Sequence, residues 1–231
     1  MRKQSMIVAG VALGAALALT ACGTEIDLGK VGFGGEQAVQ SYDVTDAITA
    51  LRTATGAGEI VVNESGRTGV HVTETLHWRG EKPQNGHRVE GGTLTLRYDC
   101  RDCSVDYRVE VPKGLDVKVD TGSGTITLRD LTGPVGAETG SGDIDARGLS
   151  GRQVTASTGS GDVKLRFAAA PDNVRVDTGS GDGTVWVPSG SYNVTADTGS
   201  GNKEVAVTRD PSSSRTVVVK TGSGDAKVLQ A

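Results

Sequence analysis

Aromatic side chains are scarce: only eight Phe, Trp and Tyr occur among 231 residues, with three His, three Cys and six Pro. So few rings offer no stacking platform for successive bases. With 24 Lys+Arg against 28 Asp+Glu the formal charge is −4, which supplies no basic footprint either. Nucleic-acid binding, which needs both, is excluded. No apolar run is long enough to span a bilayer as a helix: the run Met6 to Leu19 has 14 residues, where a crossing needs roughly 20. What is abundant is glycine. The 34 Gly follow no every-third-residue period, so collagen is excluded. The apolar residues are mostly Val, Leu and Ala, and Thr fills much of the rest. That composition points to a thin core built from short strands and many turns.

The short apolar run has an address-like context. Arg2 and Lys3 precede it and the small residues of Leu19-Thr20-Ala21 follow, which reads as a secretory signal over 1–21. Cys22 and Gly23 come next, so that 19–23 resembles the lipobox of bacterial lipoproteins. There the cysteine thiol accepts a diacylglyceryl group and becomes the new N-terminus. A plain signal cut near Ala21, with Cys22 incidental, is the alternative. Without residues 1–21 the chain keeps 22 basic and 28 acidic side chains. Attraction to anionic lipid is then weak, and acyl chains must hold the protein. Residues 22–40 are Gly-rich and mixed in charge, and are expected to be a lipid-anchored linker.

One repeat dominates the remainder. Thr-Gly-Ser-Gly begins at Thr121, Thr139, Thr158, Thr178, Thr198 and Thr221, with the variant Thr55-Gly56-Ala57-Gly58 upstream. Alternating stretches flank each copy, such as Val117 and Val119 before it and Ile126 and Leu128 after it, and period 2 means half-buried strands. Stacking equivalent strands in register gives an all-β, parallel β-solenoid with two walls, coils of 18–23 residues and Thr-Gly-Ser-Gly turns. The regular repeats cover 112–231, and 41–111 is expected to form irregular coils of the same domain. Thr121 shares its parity with Val117 and Val119, so the repeated threonines should point inward as a ladder, each hydroxyl bonded to a turn amide, a carbonyl or the next threonine. A phosphate-cradling loop is the rival, but that chemistry feeds a helix, and here strands follow.

Cys100 and Cys103 lie between Leu94-Thr95-Leu96 and Val105-Asp106-Tyr107. A hairpin would oppose Leu94 to Val109 and Leu96 to Tyr107 with the cysteines at its tip. In an exported chain that spacing suits a disulfide. Thioredoxin-like redox work is the alternative, though it needs a helix N-terminus. A zinc site would need further ligands, and the sequence has no second cysteine pair. His71 and His77 share one strand face too far apart for one ion, so no metal site is expected. Asp143, Asp162, Asp182 and Asp225 follow the glycine turns, with Asn202 in the same place. They are read as solvated acids paired with Lys164, Arg147 or Arg175, and calcium as the other remedy for their repulsion.

The Thr-Gly-Ser-Gly-Asp-Val/Ile turns, Gly91-Gly92-Thr93-Leu94-Thr95-Leu96, the Cys100/Cys103 pair and the Val-Pro-x-Gly closures together resemble a bacterial family of β-strand repeats labelled "putative adhesins", a domain of unknown function. The resemblance covers roughly 43–231. It implies an envelope-associated or extracellular solenoid and transfers no catalytic residues. The reading is a non-catalytic lipoprotein on the outer face of the cytoplasmic membrane. It is an adhesin-like interaction or scaffold module without cofactor, and its partner is an envelope protein or polysaccharide. A polysaccharide-active lyase or hydrolase, or a calcium-binding repeat protein, is the alternative. Whether Lys118, Arg129, Arg147, Lys164, Arg166 and Arg175 gather with acids in a groove discriminates between the module and the enzyme.

Lipidation gives a direct expectation. Cys22→Ala releases the protein from membranes or leaves its precursor uncut, and metabolic acyl labelling marks only the parent; equal labelling of both would refute the anchor.

Overall fold

The computed structural model describes residues 24–31, 35–84, 86–99 and 102–231. Cys22, Cys100 and the expected signal segment lie outside them. The N-terminal strands are β1 (Thr24–Val31), β2 (Gly35–Val44), β3 (Ala50–Ala57), β4 (Ile60–Glu64), β5 (Val70–Trp78), β6 (His87–Glu90), β7 (Thr93–Arg97) and β8 (Cys103–Val111). The repeats supply β9 (Asp116–Ser123), β10 (Ile126–Arg129), β11 (Val135–Ser141), β12 (Ile144–Leu149), β13 (Gln153–Ser160), β14 (Val163–Phe167), β15 (Asn173–Ser180) and β16 (Gly183–Val187). The chain closes with β17 (Ser191–Ser200), β18 (Lys203–Val205), β19 (Thr208–Arg209), β20 (Thr216–Ser223) and β21 (Ala226–Gln230).

These strands form two sheets that are mostly parallel, one of 11 strands and one of 10. Through the repeats the longer strand of each unit lies in the ten-stranded sheet, a Gly-Ser-Gly corner turns the chain, and the shorter strand lies in the other. Thr121 stands opposite Thr139, Thr139 opposite Thr158 and Thr158 opposite Thr178, all in parallel register. Alternation decides the faces: Val117, Val119, Ile126, Leu128, Val154, Val163 and their equivalents are buried in one core between the sheets. Burial of each such side chain stabilises by roughly 1.5–3 kcal/mol.

The corner threonines point inward, and each hydroxyl donates to a glycine carbonyl of the adjoining coil. Thr121 reaches Gly58 O at 3.2 Å, Thr139 Gly124 O at 3.1 Å, Thr158 Gly142 O at 3.0 Å and Thr178 Gly161 O at 3.1 Å. The second glycine of the corner has no substitute. Gly161 has φ +139°, and a Cβ there would lie 2.2 Å from Gly142 O.

Chain order and stacking order part company after β16. β20 pairs with β15 on one side and β17 on the other, and β21 sits between β16 and β18. The last coil in sequence is therefore inserted beneath the one before it, and Thr178 is followed in space by Thr221 and then Thr198. Composition accounts for the exchange. β20 carries fully buried Val217 and Val219, whereas at the aligned positions β17 has Val194 and the smaller, partly buried Ala196, and β18 holds exposed Lys203 and Glu204, a pattern tolerated at an edge. Gly183, which looks inserted in sequence, pairs with Val163 and simply takes the place of an inward valine.

The N-terminal part corrects two expectations and narrows a third. Stretch 22–40 holds β1 and the first half of β2 rather than a plain linker, because Ala38, Tyr42 and Val44 are buried where β2 lies antiparallel on β5. Within 41–111, β3 with β4 and β7 with β8 continue the parallel coils, one strand of each pair in each sheet, whereas β5 is antiparallel to β2 and β8, and β6 to β7. Nor do β7 and β8 form a hairpin. β7 pairs with β3 in one sheet and β8 with β4 in the other, so Leu94 and Leu96 enter the core from one sheet and Val105 and Tyr107 from the opposite one.

Three single changes test the corner. Thr158→Val removes the donor to Gly142 O and is expected to cost roughly 1–3 kcal/mol. Gly161→Ala adds both strain and a clash and costs about 3 kcal/mol or more. Ser160→Ala, at an exposed position, costs a few tenths at most. Urea melts rank the three, and a Thr158 variant as stable as the parent would refute the role of its hydroxyl.

Candidate functional site

The acids after each corner are held by the backbone of the next coil. Asp143 Oδ1 accepts the amide of Asp162 at 2.8 Å, Asp162 that of Asp182 at 2.9 Å, Asp182 that of Asp225 at 2.8 Å and Asp225 that of Asn202 at 2.8 Å. The row follows the spatial order of coils, so Asn202 falls last, where no further amide needs an acceptor. Its difference from the aspartates is thereby explained. Cations engage the same row: Lys164 lies 2.8 Å from Asp162 and Lys227 2.8 Å from Asp225. Hydrogen bonding to Lys164 and to the Asp182 amide holds the Asp162 carboxyl below its ordinary pKa, and Lys227 with the Asn202 amide does the same for Asp225. Among the described residues no three His, Cys, Asp or Glu side chains group as metal ligands. His71 and His77 instead face Asp43 at 2.9 Å and Asp106 at 3.6 Å on the outer surface.

A polar group that the sequence reading did not single out lies inside the N-terminal part. Glu74 is fully buried, with Tyr42 donating to its Oε1 at 2.5 Å and Tyr98 to its Oε2 at 2.7 Å. Burial, reinforced by Glu74, drives the Tyr42 and Tyr107 phenols far above their ordinary pKa. The signal was present in the strand period, since Glu74 shares its parity with Val70, Val72, Leu76 and Trp78. A depression of about 310 Å³ lies nearby, lined by residues 54–57, Tyr98, Cys103 and Val105. Both oxygens of this carboxylate are already bonded to tyrosines, an arrangement that locks the strands together.

The outer face of the eleven-stranded sheet is where cations gather. Arg129 pairs with Arg147 across adjacent strands, and both reach Asp145, at 2.9 and 2.8 Å. Burial raises the Asp145 pKa, but Arg147 and Arg129 outweigh it and leave the carboxyl below its ordinary value. Further along, Arg166 is opposite Trp186, its guanidinium carbon 4.7 Å from the ring centroid. A shallow depression of about 390 Å³ opens among Asp145, Ala146, Arg147, Lys164, Arg166 and Trp186. Lys118 and Arg175, on β9 and β15, belong to the other sheet and do not join it. Of the six cations weighed from the sequence, Arg147, Lys164 and Arg166 do line this depression; Trp186 and Asp145 were not singled out.

The acid row sets a pH dependence. Asp145, Asp162 and Asp225 have native pKa values below those of an unfolded chain, near 3.9. Their contribution is therefore present above about pH 4 and is lost as pH falls through the lower native values. Urea midpoints should stay level from pH 7 to about 5 and drop below about 4. Asp162→Asn should lower stability by about 0.5–1 kcal/mol, the screened value of an exposed pair, and flatten the acid limb. An unchanged limb would contradict this role.

Comparison with known proteins follows the same geometry. A search of curated proteins finds no match. Among solved structures, a "putative cell adhesion protein" from Clostridium sporogenes superposes with TM-score 0.54 at 12% identity, covering 85% of this chain and all of that one. A "putative adhesin" from Bacteroides fragilis gives TM-score 0.44 at 15% identity, covering 83% of this chain and 97% of that one. The first likeness shows a shared fold. Residues 99–229, more than half of the chain and all of its regular corners, match the model of one family, and the chain belongs to that family, Toastrack DUF4097.

Proposed function

We propose that this chain is a non-catalytic, adhesin-like interaction module of the bacterial cell envelope, anchored through lipid on Cys22 and facing outward from the cytoplasmic membrane. The observation that carries the reading is the outer face of the eleven-stranded sheet. There Arg147, Lys164 and Arg166 line a depression together with the Trp186 ring, and Arg129 pairs with Arg147 at its margin, which makes a surface for holding a partner. The structural likeness to a protein described as a cell adhesion protein supports the same class. A glycoside hydrolase needs two carboxyl groups flanking the bond it cuts. Here Asp145 and Asp162 are each engaged by cations, and Glu74 is enclosed by tyrosines. The signal over 1–21, the domain beyond it and the Cys100–Cys103 disulfide complete the proposal. The disulfide would clamp the passage from β7 to β8, which leads from one sheet to the other.

The test uses the mature protein in detergent and polysaccharide isolated from the envelope. Co-sedimentation is expected, with no new reducing ends or unsaturated products over many hours. Turnover would replace the module by an enzyme, and failure to sediment with any envelope polysaccharide or protein would remove the interaction role. Alkylation of the same sample without reductant should leave both Cys100 and Cys103 unlabelled.

A further inference from the structure

We infer that the depression at Trp186 is a binding site for a linear anionic polysaccharide of the uronate type, running along the stack of coils across β10, β12, β14 and β16. This deepens the interaction role proposed above and rests on it. The argument starts from strand register. Arg129 on β10 pairs with Arg147 on β12, and Arg166 on β14 pairs with Trp186 on β16. The register shifts between Ala146 and Leu149, where β12 meets β14, yet Arg147, Arg166 and Trp186 line the same depression. The two pairs, Arg129 with Arg147 and Arg166 with Trp186, thus follow one another across four successive strands. Successive strands are roughly 4.8 Å apart, close to the advance of one pyranose along an extended chain. A polymer with one carboxylate per sugar therefore meets one cation per rung for three rungs.

Charge favours an anion here although the chain as a whole is acidic, with 28 Asp+Glu against 24 Lys+Arg. Arg129, Arg147, Lys164 and Arg166 face three carboxylates: Asp145, which Arg129 and Arg147 share, Asp162, and Asp143, which also acts on Lys164. Four cations against three acids leave one positive charge in excess. The Arg147 side chain is 63% exposed and the Lys164 side chain 48%, so both reach solvent. Guanidinium groups are suited to carboxylates because two parallel N–H groups meet two oxygens. Trp186 adds a half-buried apolar ring; Arg166 covers one face of it, and the C–H groups of a sugar would pack against the part that Arg166 leaves open. A single ring and a shallow depression suit a glycan better than a nucleic acid strand, which needs successive stacking platforms.

Trp186 also reports on the site. The other tryptophan, Trp78, is 5% exposed and lies in the core, so quenching by a surface ligand reads Trp186. The mature protein is titrated with polygalacturonate, with neutral dextran, and with single-stranded DNA of equal charge. Saturable quenching by polygalacturonate, weakened by salt, is expected, with none by dextran and at least tenfold weaker binding of DNA. Arg147→Gln and Arg166→Gln should each weaken binding about fivefold to tenfold, and Trp186→Ala, followed by calorimetry, about tenfold or more. Ser160→Ala should bind as the parent does. Equal affinity for DNA, or unchanged affinity in the Arg166 and Trp186 variants, overturns the site. If those variants still sediment with envelope polysaccharide as the parent does, this inference fails and the interaction role stands; if the parent sediments with nothing, both fail.

Discussion

The architecture depends on how closely backbone can approach backbone at the glycine corners. At Gly161 the neighbouring coil's carbonyl occupies the space a Cβ would need, and the same contact recurs at Gly142, Gly181, Gly201 and Gly224. Only glycine lets the corners nest, and nesting brings each threonine hydroxyl within reach of the carbonyl beside it. The hydrogen bond thus answers two needs together. It satisfies a hydroxyl buried among valines, and it ties one corner to the next along the whole stack.

The acid row is a second consequence of that nesting. Carboxylates one coil apart would repel one another if left bare, yet each accepts the amide of the next coil and two of them also meet a lysine two residues on. Backbone amides are fixed dipoles and need no ordering, so the repulsion is met by groups that stacking has already placed. The same regularity leaves the outer wall free to vary. Arg129, Arg147, Arg166 and Trp186 occupy comparable outward positions and share no repeat rule, and a surface for recognition can differ there without disturbing the core.

How much of this could be read from the sequence depends on what period 2 encodes. It tells which face a side chain takes, and the inward threonines and valines are visible in that way before any coordinate is known. It does not tell which strand lies alongside. Six nearly identical corners can pair with one another in many orders, so placing Thr221 ahead of Thr198 is decided by how β17 and β20 differ in their apolar residues. Leu94 and Val109 likewise have the right parity for a hairpin and for two opposed sheets. The choice between them rests on β3 and β4, which are distant in sequence. The β2 strand escaped notice because Ala38 is a faint signal among polar neighbours, and Glu74 because a carboxylate at an inward position reads as an exception until Tyr42 and Tyr98 are seen beside it.

The exchange of the last two coils bears on the order in which the molecule can be assembled. A solenoid that stacks in chain order can add each rung as it emerges during synthesis. Here the seat of β17 and β18 is formed by β20 and β21, which are made later. The coil from Ser191 to Val205 must therefore wait, undocked, until the final strands have threaded in beside β15 and β16, and long-range pairings of that kind are the slow ones. Trimming from the C-terminal side would remove an interior rung and strand the outer one, so the tail acts as a keystone.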